Sequence, residues 1–316
     1  MTYCLNLSCP QPTNGDEAPV CGGCDRSLWL LERYRGIRIL GQGGFGRTVL
    51  AEMRVEQAGR PVVIKQLRLT STAAVRRFRQ EADQLRRLGK HPQIPSLIKF
   101  VENAGEGYGP LVIQSYMAGP NLEQVLEAEG PLPADQVARL LRQLLGLLEY
   151  VHSFGVIHRD IKPANILLPE GQLPVLVDFG AATVAQASRE TVIGSAEYVA
   201  PEQAMGKASF TSDLYSLGVT CLHTLTGLPP FDLYSVSEDR WVWRNFLTGP
   251  VSARLGAVLD RLVVRSQRDR LPTAVAALQA LEQPPLQTLQ NRLKLPTPQL
   301  APKPTPPKSK LTVLPQ

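Results

Sequence analysis

The string His158-Arg159-Asp160-Ile161-Lys162-Pro163-Ala164-Asn165, with Asp178-Phe179-Gly180 beginning 13 residues beyond Asn165, constrains this chain more than any other feature. Within a short span it supplies a carboxylate, a cation, an amide oxygen and a second carboxylate. Moving a phosphoryl group requires an acceptor for a hydroxyl proton, hard oxygen ligands for magnesium, and positive charge near the transferring group. Asp160 is the candidate base, Lys162 the cation near the γ-phosphate, and Asn165 with Asp178 the candidate magnesium ligands.

Gly41-Gln42-Gly43-Gly44-Phe45-Gly46 fits G-x-G-x-x-G. Alone this string also suits a plain hairpin, and a dinucleotide-binding turn would open a helix, whereas residues 48–53 have strand character. Glycines in a hairpin let backbone N–H groups come close to phosphates. Val62-Val63-Ile64-Lys65 then sets a lysine at the end of an apolar strand, where an unpaired ammonium is costly. Glu81 lies on the next helix, and a Lys65–Glu81 pair would aim the ammonium at the α- and β-phosphates.

The surrounding pattern orders these residues into two lobes. Alternation around Ile37, Ile39, Val49 and Ala51, the 62–64 run, and two further strand signals at 98–102 and 111–114 predict five strands. Val75, Phe78, Ala82, Leu85 and Leu88 recur at helical spacing, which predicts a helix over Thr72–Leu88. Beyond Gly119 the texture becomes helical, with long apolar-periodic segments at 134–154 and 213–226.

With Ala200-Pro201-Glu202, these motifs stand in the order and spacing of the eukaryotic-like (Hanks-type) serine/threonine protein kinases, which residues 34–281 resemble. The resemblance implies an α+β, two-lobed kinase fold over residues 34–282. It comprises a small lobe (34–114) of five antiparallel strands and one helix, a hinge (115–118), and a larger helical lobe (119–282). It implies transfer of the γ-phosphoryl group of ATP to Ser or Thr hydroxyls of protein substrates, with magnesium, or manganese in its place, and with autophosphorylation, as part of signal transduction. Lys162, two residues after Asp160, is the residue of the serine/threonine branch. Lys65, Asp160, Lys162 and Asn165 are the implied catalytic residues. The implied nucleotide contacts are Leu40, Gly41, Gln42, Gly43, Gly44, Phe45, Gly46, Arg47, Thr48, Lys65, Glu81, Tyr116 and Met117.

By the same similarity Glu202 pairs with Arg270, Asp213 anchors the catalytic loop, and Gln114 takes the gatekeeper position. Ser195, where threonine is commoner, keeps a hydroxyl for Asp160 and Lys162. Arg159 is the family's partner for a phosphate on the activation loop, whose candidates are Thr183, Ser188 and, above all, Thr191.

Four of the five cysteines lie in the first 24 residues, as Cys4-x4-Cys9 and Cys21-Gly22-Gly23-Cys24 with 11 residues between the pairs. Residues 1–27 hold too few large apolar residues for a core, so a cross-link is expected. Two knuckles can bring four thiolates onto one zinc ion, in a zinc-ribbon-like module. A thiol redox pair at Cys21 and Cys24, or iron–sulfur ligation, stays open beside zinc. The arrangement resembles the four-cysteine module at the N-terminus of some bacterial, notably cyanobacterial, members of the kinase family.

The net charge of +6 lies mostly in residues 283–316, which carry five cations, no acids and nine of the 27 prolines. Without those five the remainder stands at +1, which argues against a nucleic-acid partner. The tail reads as basic and disordered. No stretch approaches the 18 or so apolar residues of a membrane span, and no secretory pattern opens the chain, so a cytoplasmic protein is expected.

Overall fold

The computed structural model describes residues 1–282 except 45, 56–57, 69–70 and 185–194. The expectations for Phe45, for phosphorylation of Ser188 or Thr191, and for the tail at 283–316 lie outside the described residues.

The small lobe is built on β4 (Tyr34–Gln42), β5 (Gly46–Val55), β6 (Ala58–Leu67), β7 (Leu97–Val101) and β8 (Leu111–Ser115), in the antiparallel order β4-β5-β6-β8-β7. These are the five strands that the alternation predicts. The sheet does not stop there. Two-residue strands β1 (Thr2–Tyr3), β2 (Thr13–Asn14) and β3 (Trp29–Leu30) extend it to eight, with Tyr3 opposite Gly36 and Leu30 opposite Tyr34. Gly36 is required there, because a Cβ would stand 2.3 Å from the Tyr3 carbonyl oxygen. Leu5 and Leu30 pack with Tyr34, Val49, Ala51, Val62 and Ile64 in one core. Residues 1–27, expected as a separate cross-linked segment, thus share a sheet and a core with the strands that follow.

Strand alternation divides the side chains of β5 and β6 between two faces. Val49, Ala51, Val62 and Ile64 point into the core, and the same rows continue to the cross-strand pair Arg47 and Gln66, both buried. Thr48 and Lys65, also paired, fall on the opposite face.

Helix α1 (Thr72–Leu88) crosses that second face. Ser71 caps it by accepting from Ala74 N–H at 3.3 Å, and Arg86 and Arg87 sit in the last turn, where cations suit the helix dipole. Its buried side carries Glu81, Ala82, Leu85 and Leu88.

The large lobe contains α2 (Leu122–Glu129), α3 (Ala134–Ser153), α4 (Pro201–Ala204), α5 (Phe210–Thr226), α6 (Ala253–Leu262) and α7 (Ala274–Glu282). Helix α5 starts three residues earlier than its apolar period suggests. Ser212 accepts from the Ser209 N–H at 3.0 Å and fixes the first turn. Because α5 is buried nearly all round, its Ser216, Thr220, Thr224 and Thr226 hydroxyls donate to the carbonyls four residues back. No described helix is long and apolar enough to cross a membrane.

Candidate active site

Short paired strands between α3 and α4 carry the candidate site residues. β9 (Val156–Ile157) pairs with β12 (Thr183–Val184), and β10 (Ile166–Leu167) pairs with β11 (Val175–Leu176). The segments 158–165 and 178–180 are thereby held side by side beneath the sheet. Arg159 and Asp178 adopt positive φ (71° and 65°), which side chains other than glycine take at a cost of roughly 1–3 kcal/mol each.

Buried Asp213 at the start of α5 supports the first of these turns. Its Oδ2 accepts from the His158 N–H and its Oδ1 from the Arg159 N–H, both at 2.9 Å, and His152 Nε2 lies 2.9 Å from Oδ2. Gln203 Nε2 donates to the Arg159 carbonyl at 2.7 Å. The second turn is pinned by Phe179, fully buried edge-on against His158 at 4.7 Å between ring centroids.

On this base the Asp160 carboxylate is bound at both oxygens. Oδ1 accepts from the Ser195 N–H at 3.1 Å and the Ser195 hydroxyl at 3.2 Å. Oδ2 accepts from Asn165 Nδ2 at 2.9 Å and lies 3.1 Å from Lys162 Nζ, which also donates to Ser195 Oγ at 2.7 Å. Ser195 therefore performs the bridging expected of a threonine.

Lys65 reaches down from β6. Its Nζ lies 2.5 Å from Glu81 Oε1 and 2.8 Å from Asp178 Oδ1, so groups separated by up to 113 positions meet at one point. Burial would lower the Lys65 pKa, but Asp178 and Glu81 reverse this and hold it above the ordinary lysine range. The Lys65 charge in turn brings Asp178 down to about 2. For Glu81 burial dominates and raises the pKa, with Lys65 pulling it back.

The groups face two hollows whose walls share Gly41, Thr48, Lys65 and Asp178. One, about 370 Å³, has Leu40, Thr48, Val63, Gln114 and Met117 at one end, and Lys65, Asn165 and Asp178 at the other. The second, about 740 Å³, lies under Gly41, Gly43 and Gly46 and contains Lys65, Asp160 and Asp178. The hairpin above is closed by reciprocal bonds between Gly43 and Gly46, N–H to carbonyl at 2.9 and 3.3 Å. A Cβ at Gly46 would stand 2.1 Å from the Gln66 carbonyl oxygen, so only glycine fits. A hollow with Leu40, Val63 and Met117 in its wall, and with one ammonium and oxygen ligands beside them, suits a nucleotide with its phosphates toward Lys65.

Residues 34–256 match the protein kinase domain family. The chain belongs to that family. Among curated relatives it is 36% identical to "Serine/threonine-protein kinase B" of Synechocystis over 305 residues, which covers 90% of this chain and 52% of the relative. It is 38% identical to "Serine/threonine-protein kinase PknA" of Nostoc over 272 residues, 80% of this chain and 47% of that protein. "Serine/threonine-protein kinase PrkC" of Bacillus subtilis is 35% identical over 208 residues, 63% of this chain and 31% of its own length. The chain spans about half the length of the cyanobacterial relatives.

Within the kinase domain the Glu202 carboxylate meets Arg270 in two bonds of 2.7 and 3.0 Å, with Arg270 inaccessible to solvent and stacked 4.8 Å over Tyr215. Arg47, expected among the nucleotide contacts, lines the hollow under the hairpin, but its guanidinium lies on the opposite face of β5, bonded to Gln66 and to the N-terminal segment. Strand alternation contained that signal, since Arg47 and Gln66 occupy inward positions that ought to be apolar.

At the N-terminus the Cys4, Cys9, Cys21 and Cys24 sulfurs all lie within 4.8 Å of one another. The Cys4–Cys24 and Cys9–Cys21 separations are 3.7 and 3.5 Å, near the roughly 3.8 Å edge of a tetrahedron of thiolates around a metal at 2.3 Å. Each sulfur is bonded by the backbone of the residue two positions on: Asn6, Gln11, Gly23 and Arg26. Burial opposes ionisation of Cys21, but the Gly23 N–H, the Asn14 amide and the neighbouring thiols bring it down to about 6. Burial instead pushes Cys4 up, and a bond from the Asn6 side chain lowers Cys24.

Proposed function

We propose that this chain is a serine/threonine protein kinase that uses ATP and phosphorylates Ser and Thr hydroxyls of proteins, itself included, in signal transduction. The observation that carries the reading is the convergence of Lys65, Asp160, Asn165 and Asp178 at the floor of one cleft. Lys65, fixed by Glu81, binds phosphate oxygens. Asp160 accepts the proton of the incoming hydroxyl, which displaces the Ser195 hydroxyl from Oδ1. Lys162 lies beside the same carboxylate and supplies charge to the moving phosphoryl group. Leu40, Thr48, Tyr116 and Met117 would enclose the base, and Gly41, Gln42, Gly43, Gly44 and Gly46 the phosphates.

The donor set fits a hard divalent cation. The Asn165 amide nitrogen is committed to Asp160, at 2.8 Å to its carbonyl and 2.9 Å to Oδ2, which leaves the amide oxygen for a cation. The Asp178 side chain is 48% exposed to the cleft. Magnesium, or manganese in its place, held by Asn165 and Asp178 supplies charge neutralisation across the phosphate oxygens. Catalysis otherwise rests on positioning and electrostatics.

The four cysteines read best as a structural zinc site, supported by the tetrahedral spacing and the backbone N–H bonds to sulfur. A cytosolic site of action accords with cysteines held as thiols rather than paired in disulfides.

The test is transfer of label from γ-labelled ATP to a protein acceptor, with phosphoamino-acid analysis. Label on Ser or Thr that disappears in Asp160→Asn supports the reading. Label confined to tyrosine, or full incorporation by Asp160→Asn, refutes it.

A further inference from the structure

The seam between the cysteine cluster and the glycine hairpin is an unusual place for a buried cation. Arg47 directly follows Gly46, the last glycine of the hairpin, and is only 6% exposed. Its Nε donates to Gln66 Oε1 at 2.8 Å, Nη2 donates to the Cys4 carbonyl at 3.3 Å, and Nη1 donates to the Tyr3 hydroxyl at 3.4 Å. The guanidinium also lies 5.2 Å over the Tyr3 ring. Among the described residues no carboxylate pairs with it, and burial lowers its pKa. Its charge is stabilised by the Cys4 carbonyl and the Tyr3 ring, which depend on residues 3–4 staying in place, and by the Gln66 amide from the neighbouring strand.

Gln66 ties the same knot from the next strand. Its amide nitrogen donates to the Leu5 carbonyl at 2.8 Å and to the Tyr108 carbonyl at 3.1 Å. Gln66 is next to Lys65, whose ammonium faces the cleft from the other side of the sheet. Between Cys4 and the base of the phosphate loop there is therefore one residue, Arg47, and between Leu5 and the cleft lysine one residue, Gln66.

We infer that Arg47, with Gln66, is a positioning residue that couples metal binding at Cys4, Cys9, Cys21 and Cys24 to nucleotide binding under the glycine hairpin. This rests on the metal and nucleotide readings above and goes beyond both. With the knuckle closed on its metal, the Cys4 carbonyl stands where Arg47 needs it, and the start of β5 is fixed. With the metal gone, Cys4 is held only through β1 and the packing of Leu5, the bond from the buried guanidinium to the Cys4 carbonyl loosens, and the hairpin's first strand position relaxes. Coupling between two sites is reciprocal, so bound nucleotide must tighten the metal by the factor by which metal tightens the nucleotide.

The experiment uses the full chain. Zinc affinity is measured by competition with a chromophoric chelator, with and without saturating magnesium and a non-hydrolysable ATP analogue, and analogue affinity is measured on zinc-loaded and zinc-stripped protein. We expect a shift of about fivefold or more, equal in both directions. In Arg47→Met the two sites should still bind, each indifferent to the other. Gln66→Met serves the same purpose should Arg47→Met not fold. Tyr3→Phe, which keeps the ring, should keep most of the coupling. Equal zinc affinity with and without analogue in wild-type protein overturns the inference, as does undiminished coupling in the Met variants. Analogue binding without any zinc uptake overturns it through the metal reading, and zinc uptake without analogue binding through the nucleotide reading.

Discussion

Asp213 offers a sharp test of how the catalytic turn is held. Its carboxylate is inaccessible to solvent and takes two backbone N–H donors, from His158 and Arg159, at 2.9 Å each. Hydrogen bonds to a charged group contribute about 1.5–3 kcal/mol each. In Asp213→Asn one oxygen becomes an amide donor facing a backbone donor, so one such bond is lost and about 1.5–3 kcal/mol with it. In Asp213→Ala both donors are orphaned in the interior, for a loss of about 3–6 kcal/mol, a large fraction of the roughly 5–15 kcal/mol a domain has. The turn they hold carries Arg159 at φ 71°, which has every reason to relax once released. Asp160 is the next residue, and a displacement near 1 Å at a reacting group lowers turnover by about 10²-fold. Urea unfolding gives the stability and steady-state kinetics the rate, with kcat expected to fall in Asp213→Asn far more than KM for ATP rises. An Asp213→Asn protein within 0.5 kcal/mol or so of wild type and within about twofold in kcat would refute the reasoning.

Four further outcomes are expected. Asp178→Ala should lower transfer by about 10³-fold, as the charge neutralisation it anchors is removed, read in a labelled-ATP assay. Arg270→Met and Glu202→Gln should each cost about 3–5 kcal/mol in urea unfolding, with the double variant costing less than the sum because each single change strands a buried partner. Asp178 has a depressed pKa of about 2, so its contribution to stability is present above the unfolded carboxyl value near 3.9 and is lost as pH falls toward 2. The stability difference between wild type and Asp178→Asn should shrink over that window in acid titrations. Metal analysis of protein purified without chelator should give about one zinc per chain, and Cys21→Ser should lose it and unfold the first 30 or so residues.

The candidate catalytic groups were readable in the sequence because phosphoryl transfer leaves little freedom of residue type. A base, a cation and two oxygen ligands at fixed spacing can be recognised without coordinates, and Asp160, Lys162, Asn165 and Asp178 do converge. Helix α1 was equally legible, since its apolar period is uninterrupted. The joining of residues 1–27 to the small lobe was not. Strands of two residues, such as β1 and β3, are too short for alternation to register, and the close contact at Gly36 becomes meaningful only once Tyr3 lies across it. The trace that did exist was a polar cross-strand pair in an apolar row, Arg47 with Gln66, which the glycine motif beside it obscured. Gln203 beneath Arg159 left no trace, because nothing in a single glutamine announces which carbonyl it will reach.

The extended sheet also bears on solubility. Without residues 1–30, β4 would be an outermost strand, with unpaired N–H and carbonyl groups open to any extended peptide, the usual template for unwanted self-assembly. β1 and β3 occupy that margin at Gly36 and at Tyr34–Arg35, and β4 bends beyond them at two bulges. The short segment that gathers the cysteines therefore also shields one side of the lobe from intruding strands.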